Sequence, residues 1–164
     1  MKKRMLALTL AVSMLLSLAA CGGGTKATAM HLRKTEGKVS VSDDRGRDLE
    51  PREDLGLYSG YGVDTRRESY AWIDLDKVKL TKLDEKSEIE ITREGKNLEI
   101  EVLSGSLFFN VTEPLAGDET MTIRTSTMVV GIRGTCGWVA LSEDEEQLSV
   151  YLLEGKVRCE AEGE

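Results

Sequence analysis

The side chain with the clearest chemical prospects is the thiol of Cys21. The segment before it is basic at residues 2–4 and then almost wholly apolar from Met5 to Leu16. A basic start, a short apolar run and small residues before a cleavage point form an export signal. The apolar run is shorter than the roughly 20 residues that a spanning helix needs. We therefore predict that the chain is exported and cut before Cys21.

The residues around this cysteine make the prediction more specific. Leu18-Ala19-Ala20-Cys21 resembles the lipobox of bacterial lipoproteins. The resemblance implies that the Cys21 sulfur receives a diacylglycerol and that the chain is tethered to a membrane through this lipid. The alternative is an ordinary secretory signal in which the cysteine stands by chance.

This interpretation divides the chain into three parts. Residues 1–20 are predicted to be a lipoprotein signal peptide that forms an N-terminal signal helix, and residues 21–29 a flexible tether. Residues 30–164 are predicted to be one β domain, since about 140 residues suit a single hydrophobic core. The expected location is extracytoplasmic, on the cell membrane or on the outer membrane where two membranes exist.

The rest of the chain offers little catalytic or metal-binding chemistry. Its single histidine, His31, lies at the junction of tether and domain, so neither a Ser-His-acid set nor a zinc site is expected. The carboxylates of residues 43–48 lack the spacing of a calcium loop, and residues 143–146 are typical of a solvated hairpin loop. We predict no enzymatic activity, no cofactor and no metal.

The charge balance limits the partners. The 164 residues carry 22 Lys and Arg against 29 Asp and Glu, a net charge of −7. An acidic protein is a poor ligand for nucleic acid and for anionic lipid surfaces. Beyond the lipid on Cys21, we therefore expect a protein partner in the envelope and no nucleic acid.

Aromatic residues and arginines cluster within fifteen positions: Tyr58, Tyr61, Arg66, Arg67, Tyr70 and Trp72. Such a surface could recognise a protein loop or a glycan. Trp72 lies off the apolar face formed by Ala71 and Ile73, so Arg66, Arg67 and Trp72 are the candidate binding residues. The alternative is that at least half of these aromatic residues pack in the core.

Short alternating segments dominate the domain. Residues 38–42, 70–80, 88–92 and 98–102 alternate apolar with polar residues, and 88–102 is typical of an antiparallel hairpin. Gly37, Gly105 and Gly155 each stand just before an alternating segment, and this recurrence forms a loose internal repeat. The one helical candidate is a turn at Glu53–Leu57. The fold class predicted is all-β, with short and mostly antiparallel strands in a sandwich or a short solenoid.

Cys136 and Cys159 are the remaining cysteines. Pairing Val139 with Val150 places Cys159 opposite Val150 after the turn at Gly155. Cys136 then points to the other face, which disfavours a disulfide unless Gly137 forms a bulge.

One eleven-residue segment carries a family resemblance. Thr125-Ser126-Thr127-Met128-Val129-Val130-Gly131-Ile132-Arg133-Gly134-Thr135 resembles the signature of the FecR domain family, and residues 57–76 resemble an earlier family segment. Ser126 departs from the proline that is usual there. Gly131, Arg133, Gly134 and Thr135 are identified as its structural motif. Arg133 is expected to be partly buried and to pair with Asp74 or Asp76.

The resemblance implies a non-enzymatic interaction module of the cell envelope, with a role in sensing or signalling. In FecR regulators a cytoplasmic anti-sigma segment and a spanning helix precede this domain, whereas here a lipobox does, so only the extracytoplasmic half is implied. The alternative is a glycan-binding or purely structural envelope module.

Overall fold

The computed structural model describes residues 30–142 and 147–161. The predicted signal peptide with its helix, Cys21 and the tether lie outside them. The strands of the described residues are β1 (Met30–Glu36), β2 (Val39–Ser42), β3 (Asp48–Leu49), β4 (Leu55–Leu57), β5 (Tyr61–Thr65), β6 (Tyr70–Asp76), β7 (Lys79–Leu83), β8 (Glu88–Glu94), β9 (Asn97–Ser104), β10 (Ser106–Val111), β11 (Thr120–Arg124), β12 (Met128–Ile132), β13 (Cys136–Leu141), β14 (Leu148–Glu154) and β15 (Val157–Ala161).

These strands form two sheets packed as a sandwich, which confirms the all-β prediction. The first sheet, sheet A, has the order β14-β13-β10-β7-β6-β1-β4, and sheet B has the order β15-β12-β11-β9-β8-β5-β2-β3. All neighbouring pairs are antiparallel except β9 and β11. Alternate side chains of both sheets meet in one apolar core, with Phe109 and Ile100 fully buried.

The order of the strands shows how the chain is wound. From β5 and β6 onward, each sheet is extended in chain order, and the chain repeatedly crosses from one sheet to the other. The sandwich is therefore built like a short solenoid, and both predicted descriptions apply to it. In the described residues no helix occurs that could cross a membrane.

The three glycines of the loose internal repeat lie at such crossings. Gly37, Gly105 and Gly155 each stand between a strand of one sheet and a strand of the other, with φ of 73°, 75° and 90°. Glycine is the residue that adopts this left-handed backbone most readily. Glu68 and Lys86 take the same conformation at two further crossings, with φ of 54° and 53°.

Two local predictions were wrong. Glu53–Leu57 is a turn followed by β4 and not helical, because Leu55 and Leu57 pair with β1. Residues 70–80, which alternate as one segment in the sequence, belong to two strands of a hairpin, β6 and β7, whose turn follows Asp76.

Candidate interaction surface

A row of large side chains crosses the outer face of sheet A. Register places Lys34 opposite Trp72, Trp72 opposite Lys82, Lys82 opposite Phe108, Phe108 opposite Trp138, and Trp138 opposite Tyr151. We call these six residues the aromatic row. Their chain neighbours on β6, β7, β10 and β13 are buried, so the row points away from the core.

Lysines and aromatic rings are in contact along the row. Lys34 Nζ lies 4.6 Å from the centre of the Trp72 ring and Lys82 Nζ 5.5 Å from it, while Lys82 Nζ lies 4.3 Å from the ring of Tyr70. These distances are those of cation–π contacts. The ammonium groups thus hold the rings in place on the sheet.

The far half of the row is an aromatic pair. The ring centres of Phe108 and Trp138 are 4.6 Å apart at an angle of 55°. Both side chains are half-buried, and Tyr151 beside them is 61% exposed. Half-exposed aromatic side chains in rigid positions can bind a partner at low cost in conformational entropy.

The structure separates the predicted binding residues. Trp72 belongs to the aromatic row, whereas Arg66 and Arg67 are exposed at the crossing between β5 and β6. Arg66 Nε lies 3.1 Å from Asp64 Oδ1 on β5 of sheet B, away from Trp72. Whether any of the three binds a partner stays a prediction.

The predicted aromatic cluster also divides. Tyr70 lies 6.3 Å from Trp72 on sheet A, while Tyr58 and Tyr61 pair at 5.4 Å near β5 of sheet B. None of the four is fully buried, so the expectation that half of them form the core was wrong. Tyr70 and Trp72 point outward because they alternate with buried residues of β6, whereas Tyr61 lies on the same face as Val63 and packs against the edge of the core.

A charged cluster fixes the hairpin that carries Trp72 and Lys82. Lys79 is 2% exposed, and its Nζ lies 2.6 Å from Asp76 Oδ2 and donates to Glu119 as well. Arg93 of sheet B reaches Asp76 Oδ2 at 3.3 Å. Burial raises the pKa of Asp76, but hydrogen bonds from Lys79, the Val78 amide and Arg93 outweigh it and hold that pKa below its usual value.

The signature motif has a structural role that differs from the expected one. Arg133 is exposed, and its expected partners Asp74 and Asp76 pair instead with Arg33 and with Lys79. The prediction of a partly buried Arg133 was wrong because the residue lies in the turn between β12 and β13 and not within a strand.

The neighbouring motif residues make the turn compact. Gly134 has a φ of 71°, and a Cβ there would lie 3.2 Å from Pro114 Cα. Thr135 is buried, and its Oγ1 donates to the carbonyl of Lys156 at 3.0 Å. Gly131 is an ordinary strand position in β12.

The carboxylate of Asp43 is used within its own turn. It accepts hydrogen bonds from the amides of Arg45 and Arg47, each at 2.9 Å, and from Arg47 Nε at 2.7 Å. The Arg47 side chain and amide lower the pKa of Asp43 from 3.8 to about 2.

Across residues 30–142 and 147–161, no three His, Cys, Asp or Glu side chains are grouped to hold a metal ion; the acidic loop 143–146 lies outside these ranges.

Both described cysteines are free thiols. The pairing of Val139 with Val150 is confirmed, but Cys159 lies opposite Val130 in sheet B and not opposite Val150. That position was wrong because the turn at Gly155 carries the chain across to the other sheet. Cys136 belongs to sheet A on its outer face, beside a register shift in the β13–β14 pairing. Burial raises the pKa of the Cys136 thiol.

Five members of the aromatic row were not predicted from the sequence: Lys34, Lys82, Phe108, Trp138 and Tyr151. They are far apart along the chain, and only the register of six strands aligns them with Trp72. The sequence holds only a weak signal for them, because Phe108 stands beside Phe109, and Tyr151 beside Leu152 and Leu153, without alternating polar residues.

The family model described as FecR protein matches residues 62–158. Two crystal structures of a "putative anti-sigma factor" from Parabacteroides distasonis ATCC 8503 have a similar fold, each with a TM-score of 0.54 and 18% identity over 63% of this chain. The match covers 48% of the neighbour, so the chain spans about half its length. No curated protein matches the chain.

Proposed function

Because this chain belongs to the FecR protein family, we propose that it is a lipid-anchored, non-enzymatic module of the cell envelope that binds a protein partner in sensing or signalling. The description of its structural neighbours as anti-sigma factors favours a signalling role over an isolated structural one. The segment that ends at Cys21 supports export and lipid anchoring.

The aromatic row is the observation that carries the proposal. It joins six residues from six strands into one outward-facing line, with Lys34 at one end and Tyr151 at the other. Trp and Tyr are the residues most often found at the energetic centres of protein interfaces. Acidic and aromatic segments of a partner complement such a line.

In-cell crosslinking of the lipoprotein in its own envelope, followed by mass spectrometry, tests the proposal. We expect one dominant protein adduct, and we expect Trp72→Ala with Trp138→Ala to abolish it. Tyr58→Ala removes an exposed aromatic residue outside the row and is the matched control. An adduct that survives the double substitution contradicts the proposed surface. Loss with Arg66→Ala and Arg67→Ala instead would place the contact at the β5–β6 crossing.

A glycan-binding module is the second candidate. The favouring observation is that Trp72, Phe108 and Trp138 share one sheet face, where rings can stack on sugars. Recovery of polysaccharide and no protein, with the same loss on Trp72→Ala, would establish this alternative and refute the first.

The lipid anchor has its own test. Cys21→Ala removes the sulfur that would carry the diacylglycerol. Metabolic labelling with palmitate is expected to label the wild type and not Cys21→Ala, and a wild type that takes up no label would contradict the lipid anchor.

A further inference from the structure

The edge strands at the two ends of the sandwich differ in length. At one end the edge strands are very short, with two residues in β3 and three in β4. At the other end the edges are β14 with seven residues and β15 with five. Proteins protect exposed sheet edges by making them short or charged. Only the first end is protected by short strands.

The long edge is also apolar. Tyr151, Leu152 and Leu153 of β14 are 61%, 42% and 65% exposed, and they are three of the five exposed large hydrophobic residues in the described ranges. Within those ranges, β14 pairs only with β13, and β15 pairs only with β12. The outer hydrogen-bonding edge of each strand therefore lacks a strand partner there.

The sequence of β15 is complementary to itself. In an antiparallel pair of two β15 strands centred on Cys159, Arg158 of each copy lies opposite Glu160 of the other, and Val157 lies opposite Ala161. Each copy thus contributes one cation and one anion to two equivalent cross-strand ion pairs. Within one copy, Arg158 Nε and Glu160 Oε1 are 2.6 Å apart and both side chains are well exposed, so they are free to exchange partners.

One two-fold rotation can give β14 and β15 a strand partner at the same time. A two-fold axis normal to the sheets pairs equivalent edge strands antiparallel in both sheets at once. Tyr151 and Cys159 are each four residues from the crossing at Gly155, so an axis through Cys159 passes close to Tyr151. Residues 150–152 of the two copies, which are Val, Tyr and Leu, then face each other.

We propose that the protein forms a two-fold dimer in which β14 and β15 pair end to end with β14 and β15 of a second copy. The two sheets of one sandwich continue into those of the other, and the exposed side chains of residues 151–152 are covered. The aromatic rows of the two copies meet at Tyr151 and form one line across both molecules.

Cys159 reports the dimer directly, because the thiol is exposed and lies at the centre of the proposed pair. Opposed Cα atoms of an antiparallel pair are about 4.5–5.5 Å apart, within the range that a disulfide spans. The full chain in mild detergent, oxidised with diamide, is expected to give a disulfide-linked dimer with a Cys159–Cys159 peptide. The bond should form in the Cys136→Ser variant and be lost in the Cys159→Ser variant.

Charge exchange tests the register without the thiol. Arg158→Glu places like charges at both cross-strand pairs, and we expect dimerisation in sedimentation equilibrium to weaken about tenfold. The double substitution Arg158→Glu with Glu160→Arg restores complementarity and should restore the dimer. Thermal unfolding of each variant as a monomer checks that the fold is kept.

Three results would overturn the inference. They are a monomeric wild type at about 100 μM, a disulfide that persists in Cys159→Ser, and a double variant as weakly associated as Arg158→Glu. The aromatic row is complete in one copy, so these results leave the proposed partner surface intact and the two proposals fail separately.

Discussion

Gly105 lies directly on Ser87 at a crossing between the two sheets. A Cβ at Gly105 would be 2.3 Å from Ser87 Oγ and 2.5 Å from the carbonyl of Lys86. The absence of that carbon lets Ser87 Oγ accept from the Ser106 amide at 2.9 Å and donate to the Ser106 carbonyl at 3.0 Å. Gly37 and Ser69 repeat the contact at another crossing, where the Lys38 amide donates to Ser69 Oγ at 2.8 Å.

Gly105→Ala is expected to lower the free energy of unfolding by about 2–4 kcal/mol, since it adds both a steric overlap and a strained backbone. Gly95→Ala has a similar φ of 62° with open space around it, and we expect about 1 kcal/mol. Urea unfolding of both variants gives the comparison. Equal losses would mean that the contact with Ser87 does not constrain the crossing.

Lys79→Ala leaves two carboxylates without their buried cation. Its side chain is 1% exposed between Asp76 and Glu119, so we expect a loss of about 3 kcal/mol in unfolding free energy. The control is Lys96→Ala, which breaks an ion pair with Asp118 on the open surface and should change stability little. A small effect of Lys79→Ala in chemical denaturation would show that the cluster does not join the sheets.

Asp43 should make stability depend on pH in acid. Its pKa is about 2 in the folded protein against 3.8 ordinarily. The unfolded chain therefore binds a proton first, and the contribution of Asp43 is complete above about pH 4 and is lost as the pH falls through 2. Urea midpoints measured between pH 5 and 2 should fall less steeply for Asp43→Asn than for the wild type. Asp48→Asn, an exposed change nearby, should keep the wild-type slope.

The signature motif is expected to divide into structural and surface positions. Thr135→Val preserves shape but loses the hydrogen bond to the Lys156 carbonyl, which should cost about 1 kcal/mol. Arg133→Ala removes an exposed side chain and should leave the melting temperature unchanged. A larger loss for Arg133→Ala would mean that its side chain supports the turn after all.

Much of the fold could be predicted from local sequence. Alternation in residues 88–92 and 98–102 predicts the β8–β9 hairpin, and the predicted opposition of Val139 with Val150 was correct because it places apolar residues of both strands on one face. Gly37, Gly105 and Gly155 precede strands in the sequence as well. Each of them lies at a crossing with a positive φ, a conformation that glycine adopts readily.

The aromatic row and the position of Cys159 could not be predicted from the alternation pattern. Alternation states which face of a strand a side chain occupies, but not which strand lies beside it or in which sheet. The sequence pattern predicts a hairpin of β14 and β15, but Gly155 moves the chain to the other sheet. The sequence by itself determined most of the strands, their buried faces and the Cys21 motif, because these depend on residues close in the chain. The tertiary structure alone decided that Lys82, Phe108, Trp138 and Tyr151 join Trp72 in one row, because that alignment depends on hydrogen bonds between strands far apart in sequence.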